Sequence, residues 1–151
     1  MENPYATLGF LLKRAHQSLR SRLDNELRTI GLTTPQYAVL TYLEASPGAT
    51  NAELARRTFV TPQTMQVILV GLEKAELVLR RPHPEHRRMQ NTELTPTGRK
   101  VLKRAVEIVD ATEDLLREAL GPNAADEMQA ALTRIAEKLG EDADDKPAAS
   151  K

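Results

Sequence analysis

Thr61, Gln63, Thr64, Gln66 and Val67 fall within one short stretch, and their side chains are types that read base pairs. A glutamine amide pairs bidentately with adenine, a threonine hydroxyl donates or accepts, and a valine methyl touches the methyl group of thymine. The set suits A·T-containing sites in duplex DNA. Arg80, Arg81, Arg87 and Arg88 follow, and arginines at the tip of a loop can enter a narrow minor groove, where negative potential is enhanced. Other chemistry finds less support. His83-Pro84-Glu85-His86 puts two imidazoles and a carboxylate in one short loop, but no third histidine lies near and nothing packs around them to orient ligands, so a zinc site is not expected. With no cysteine, thiolate metal sites, cysteine nucleophiles and disulfides are excluded. Neither a glycine-rich phosphate loop nor a nucleophile elbow is present. The reading is of a non-enzyme, without catalytic residues or cofactor.

Positioning these groups falls to the elements around them. From Tyr5 to Ile30, apolar residues (Leu8, Leu12, Ala15, Leu19, Leu23, Leu27, Ile30) recur at helical steps and predict a long first helix that Gly31 stops. Thr34-Pro35 reads as the cap and first turn of a second helix through Leu43, and Ser46-Pro47-Gly48 breaks the chain again. Thr50-Asn51-Ala52-Glu53 has capping-box spacing, so a short third helix should run to Thr58. Thr61-Pro62 opens a fourth, to Lys74. Leu77 to Arg80 and Gln90 to Leu94 flank a polar stretch and predict a two-stranded hairpin, the only strand signal in the chain. Thr95-Pro96 starts a fifth helix, Gly121-Pro122 separates it from a sixth, and the acidic, aperiodic tail is expected to be disordered.

Two short capped helices joined by Phe59-Val60-Thr61 form a helix-turn-helix, and a hairpin directly after the second makes it winged. The predicted fold class is mainly α with a small β-hairpin: a winged helix-turn-helix lobe (32–95), flanked by helices that dimerise (5–31 and 96–140), and a tail (141–151). In this geometry Thr61 to Val67 lie at the start of the helix that enters the major groove.

Charge follows the same division. The 21 basic and 21 acidic residues cancel, yet residues 50–104 hold eleven basic and five acidic side chains, net +6, and residues 105–151 five and twelve, net −7. The middle attracts an anionic partner and the end repels one, which restricts the face that approaches DNA. At 151 residues, 40% hydrophobic and 28% charged, the chain has the composition of one folded domain rather than a disordered one. No apolar run approaches a membrane span, and Glu2 stands where a secretion signal carries positive charge, so a cytoplasmic protein without membrane contact is expected. The rival reading is a winged helix that binds protein and never touches DNA; the basic hairpin and the Thr-Gln-Thr-Gln pattern weigh against it.

Several stretches in order resemble the MarR family of bacterial transcription regulators: Leu32-Thr33-Thr34-Pro35-Gln36-Tyr37-Ala38-Val39-Leu40, Asn51-Ala52-Glu53-Leu54-Ala55, Thr61-Pro62-Gln63-Thr64-Met65, Leu72-Glu73-Lys74, His83-Pro84-Glu85-His86-Arg87-Arg88 and Leu94-Thr95-Pro96-Thr97-Gly98. The resemblance covers about residues 5 to 140. It implies a homodimeric repressor or activator on a pseudo-palindromic operator, with Thr61 to Val67 as the base-reading helix and Arg87 or Arg88 as the wing-tip arginine. It also implies a small aromatic or anionic effector, for which His16, Arg20 and Tyr37 are the candidate binding residues. Two positions depart from the family pattern: His86 replaces the wing aspartate that orients the arginine, and Glu76 replaces the glycine that ends the recognition helix.

Overall fold

The computed structural model describes residues 3–86 and 88–140. Arg87 and the tail from 141 onward, which carry a wing-tip expectation and a disorder expectation, lie outside the described residues. A 3-10 turn (Pro4–Ala6) precedes α1 (Leu8–Arg28), and α2 (Thr34–Ala45) follows. Then come β1 (Ala49–Thr50), α3 (Asn51–Arg57), α4 (Pro62–Lys74), β2 (Val78–Pro82), β3 (Gln90–Leu94), α5 (Pro96–Leu120) and α6 (Pro122–Leu139).

Threonine caps set most of the helix starts. Thr7, Thr50, Thr61 and Thr95 accept the backbone N–H groups of Phe10, Glu53, Thr64 and Gly98, each satisfying a donor with no partner inside the helix. Glu53 completes the capping box by accepting the Thr50 N–H at 2.7 Å. At α2 the cap is Thr33 rather than the expected Thr34. Thr33 accepts from Gln36 N, and Gln36 Oε1 accepts from Thr33 N, closing a box one residue upstream. The Thr34 hydroxyl is engaged elsewhere, donating to Asp24 on α1. That bond, helped by Arg20 and Arg28, holds the Asp24 carboxyl below the usual carboxylate range. A depressed carboxylate supports the fold at neutral pH, and this support is lost as pH falls through its folded-state value.

The sheet has three strands, in the order β1-β3-β2, where the sequence indicated a two-stranded hairpin. Ala49 and Thr50 pair antiparallel with Thr92 and Asn91, and two residues are too few to show alternation. On the other side of β3 the register is Val78↔Leu94 through Arg80↔Thr92 to Pro82↔Gln90. Leu27, Leu32, Val39, Leu40, Leu43, Leu54, Met65, Leu69, Leu72 and Val78 meet in one core beneath this sheet and α2 to α4. The flanking helices keep much of their apolar stripes outside this core. Leu8, Leu11, Val106, Leu115, Leu116, Leu120, Met128, Leu132 and Leu139 stand exposed on α1, α5 and α6. No helix of the described residues is long and apolar enough to cross a membrane.

Two turns close on residues other than glycine. After α4, Glu76 N–H reaches Glu73 O at 2.9 Å and Leu77 N–H reaches Leu72 O at 2.9 Å, a Schellman closure with Glu76 at φ 58°. This answers how the chain ends the helix without the family's glycine: it keeps the left-handed geometry and strains a glutamate into it. After α3 the same pattern joins Phe59 to Arg56 and Val60 to Ala55, with Phe59 at φ 57°. Immediately beyond, Leu77 O accepts from Thr95 N at 3.1 Å, and Thr95 Oγ1 donates to Glu76 O at 2.6 Å. Gly98 lies so close that a Cβ there falls 2.0 Å from Leu77 O.

Glu76→Gly is expected to stabilise the fold by about 0.5–1 kcal/mol, the relief of a left-handed L-residue less the added freedom of the unfolded chain, raising Tm by about 2 °C. Gly98→Ala should do the reverse, because backbone rather than a flexible side chain meets the new methyl group; a loss of about 3 kcal/mol is expected in urea titrations. Unchanged midpoints in either variant contradict the packing described.

Candidate nucleic-acid interface

Helix α4 buries Met65, Leu69 and Leu72 against the core, and this fixes which of its residues face outward. Gln63, Thr64, Gln66 and Val67 are all exposed, and Val67 keeps 73% of its surface in solvent although it is apolar. Exposed valine beside polar side chains, on the first turns of a capped helix, forms a surface that can read base edges. Thr61 is also exposed, but its hydroxyl has structural duties: it accepts the Thr64 N–H at 3.1 Å and donates to Thr64 Oγ1 at 3.0 Å. From Met65 to Leu72 the helix carries no cation, so grip on phosphate must come from neighbouring elements.

Arg80 differs from the other wing arginines. Its Nε and Nη2 donate to Glu73 Oε2 at 3.0 and 2.8 Å, and its Nη1 donates to Gln66 Oε1 at 3.2 Å. Its side chain is 14% exposed. Arg80 therefore ties β2 to the reading helix instead of standing free for phosphate. Asn51, at the start of α3, adds a fourth member by donating Nδ2 to Gln66 Oε1 at 3.4 Å. Glu73 and Asn51 were not legible as site residues. Glu73 lies seven positions before Arg80 across a turn, so no helical or strand spacing pairs them.

Arg81 and Arg88 are exposed on the wing, where side chains of this type meet phosphate or a minor groove. The tip between them is closed by His83. Its Nδ1 accepts from the backbone N–H groups of Glu85 at 3.1 Å and His86 at 3.2 Å. His83 N donates to Met89 O, and Met89 N to His86 O, both at 2.8 Å. A histidine three residues ahead of the substituted aspartate thus shapes the tip. Among the described residues no group of three His, Asp or Glu is placed to hold a metal. Between α3, α4 and the wing lies an open hollow of about 490 Å³, bordered by Asn51, Gln66, Arg80, Arg88 and Thr92.

The candidate effector residues are less closely associated. His16 and Arg20 are exposed on α1, and Arg20 Nε sits 3.7 Å from Asp24. Tyr37, half-buried on α2, borders a largely apolar hollow of about 400 Å³ with Thr41, Tyr42 and Arg57, and neither His16 nor Arg20 is among its walls.

Comparison with known proteins agrees with this architecture. The family model described as MarR family matches residues 30–89. The HTH-type transcriptional repressor Rv2887 of Mycobacterium tuberculosis is 38% identical over 138 residues, 91% of this chain and 96% of the relative. A crystal structure of Rv2887 with DNA superposes with a TM-score of 0.72 at 38% identity, covering 90% of this chain and 99% of that one. Rv2887 with salicylic acid gives a TM-score of 0.66, covering 89% and 97%. The repressor CouR bound to a 23-mer DNA duplex gives 0.82 at 31% identity, covering 90% and 99%. Because the likeness runs through the flanking helices as well as the winged lobe, the chain belongs to the MarR family of transcriptional regulators.

Proposed function

We propose that this protein is a cytoplasmic transcriptional repressor that binds a pseudo-palindromic operator in duplex DNA as a homodimer. The observation that carries the reading is the outward row Gln63, Thr64, Gln66 and Val67 on a helix braced to a basic wing, in a chain whose relatives Rv2887 and CouR are solved on DNA. Gln63, Thr64, Gln66 and Val67 read base edges, with Thr61 setting the helix start. Arg81, Arg87 and Arg88 supply the wing's charge, and Arg80 acts from behind through Gln66. The apolar residues left exposed on α1, α5 and α6 are the surface a second copy covers, making residues 5–31 and 96–140 the dimerisation part and 32–95 the DNA-binding lobe. Two-fold symmetry then sets half-sites about one turn of DNA apart. An aromatic acid is the effector class, on the precedent of the salicylic acid complex of Rv2887. The hollow beside Tyr37 is the candidate for its ring; His16 and Arg20, exposed on α1, lie outside the walls of that hollow, so Tyr37 alone of the three expected residues carries the candidate site.

Purified protein should run as a dimer in light scattering at micromolar concentration and prefer its own upstream DNA over random duplex by about 10³-fold or more. The log-log salt dependence should have a slope of several phosphates, and Arg81→Ala or Arg88→Ala should each lower that slope by about 1. Weak binding, equal for both DNAs, contradicts the repressor reading and favours the protein-binding winged helix. Salicylate should weaken operator binding in the wild type and have little effect in Tyr37→Ala. Calorimetry without heat, together with operator affinity indifferent to salicylate, removes this effector class.

A further inference from the structure

We infer that Arg80 fixes the orientation of the Gln66 amide, so that Gln66 offers a base only N–H donors and selects guanine or thymine rather than adenine. This rests on the repressor reading above and goes beyond it by assigning one contact its chemistry. A guanidinium carries N–H groups and no acceptor, so whatever lies 3.2 Å from Arg80 Nη1 must be the carbonyl oxygen of Gln66 and not its amide nitrogen. The reverse orientation sets donor against donor. Arg80 is not free to turn away, because Glu73 Oε2 accepts from both its Nε and its Nη2. Asn51 Nδ2 supplies a second donor to the same oxygen at 3.4 Å. An amide oxygen has two lone pairs, and both are engaged.

What remains to Gln66 is its Nε2 group, which makes no hydrogen bond among the described residues, on an exposed position of the reading helix. The familiar adenine contact needs both ends of the amide, the oxygen accepting from N6 and the nitrogen donating to N7. Here the oxygen is withheld. A donor alone matches O6 beside N7 in guanine or O4 in thymine, whereas adenine offers N7 beside its N6 amino group, a donor that an outward amide NH2 group cannot accept. Arg80 is thus a positioning residue: it acts on base choice through Gln66 and need not touch DNA.

The test is selection of bound sequences from a random duplex library by wild type, Gln66→Ala, Gln66→Glu and Arg80→Met, each first checked for folding by circular dichroism. Gln66→Ala should flatten the preference at one position of each half-site and so identify the contacted base. At that position wild type should favour guanine or thymine. Arg80→Met frees the amide to turn and should shift the ratio of adenine to guanine by about tenfold or more. Gln66→Glu keeps the bond to Arg80 but turns an acceptor outward, and should favour the amino groups of cytosine or adenine. Should Arg80→Met not fold, wild type and Gln66→Glu still decide. Adenine preferred by wild type at the Gln66 position overturns the inference. So does a base preference unchanged in a folded Arg80→Met or in Gln66→Glu, or a Gln66→Ala that flattens no position. A wild type that enriches no sequence at all overturns the repressor reading itself, and this inference with it.

Discussion

The structure turns on the contact between the carbonyl of Leu77 and the start of α5. Within a few residues the reading helix ends, the first wing strand begins and the long flanking helix sets out, and all three share the same backbone groups. Leu77 N closes α4, Leu77 O receives Thr95 N, and the Thr95 hydroxyl caps α5 while donating to Glu76 O. Only a residue without a side chain fits at position 98, against that carbonyl. The strained Glu76 lies inside this knot: its left-handed φ is what turns the chain from helix into strand with both closing hydrogen bonds intact. Helix, wing and flanking helix are therefore joined through one set of backbone groups.

A second tie, made by side chains, joins α4 to the middle of β2 and to α3. Glu73, Arg80, Gln66 and Asn51 connect α4, β2 and α3 through side chains alone. Because the Glu73 carboxylate is 41% exposed, solvent screens the pair, and with two side chains to order it adds little to stability. Its effect is geometric. It sets the spacing between α4 and the wing, and leaves Arg81 and Arg88 exposed beside a helix that lacks cations of its own. The wing's charges thus divide: Arg80 is paired and holds the shape, while Arg81 and Arg88 remain exposed.

How far the sequence carries these conclusions differs by level. Helix periodicity and threonine caps located α3, α4 and α5 closely, because local hydrogen bonds decide them and the residues involved are neighbours in the chain. Thr33 was missed as the cap of α2 because Asp24, ten residues away, takes the Thr34 hydroxyl. The strand at Ala49–Thr50 was missed because its two residues gain their strand character from β3 alone. The same distinction governs the site. Exposed readers on α4 follow from which face is apolar, whereas the role of Arg80 does not, since a basic residue on a basic wing looks alike whether solvent or Glu73 faces it. His83 is a similar case: nothing in its residue type or spacing shows that its Nδ1 is the acceptor that closes the turn.

The long helix α5 links these local devices to assembly. Its first turn is locked into the knot at Leu77, and its later turns carry Val106, Leu115, Leu116 and Leu120 exposed in a row that continues onto α6. With a second copy covering that row, the position of each α4 relative to its partner follows from how the two α5 helices pack, since α5 joins the end of α4 through the backbone groups at Leu77. A helix of 25 residues is about 37 Å long at 1.5 Å per residue. Tilting it by about 5° about its far end moves the near end by about 3 Å, close to the spacing of one base pair along each strand. A small change in the angle of α5 is thus enough to displace α4 on the scale of one base-pair step, with no contact to α4 itself.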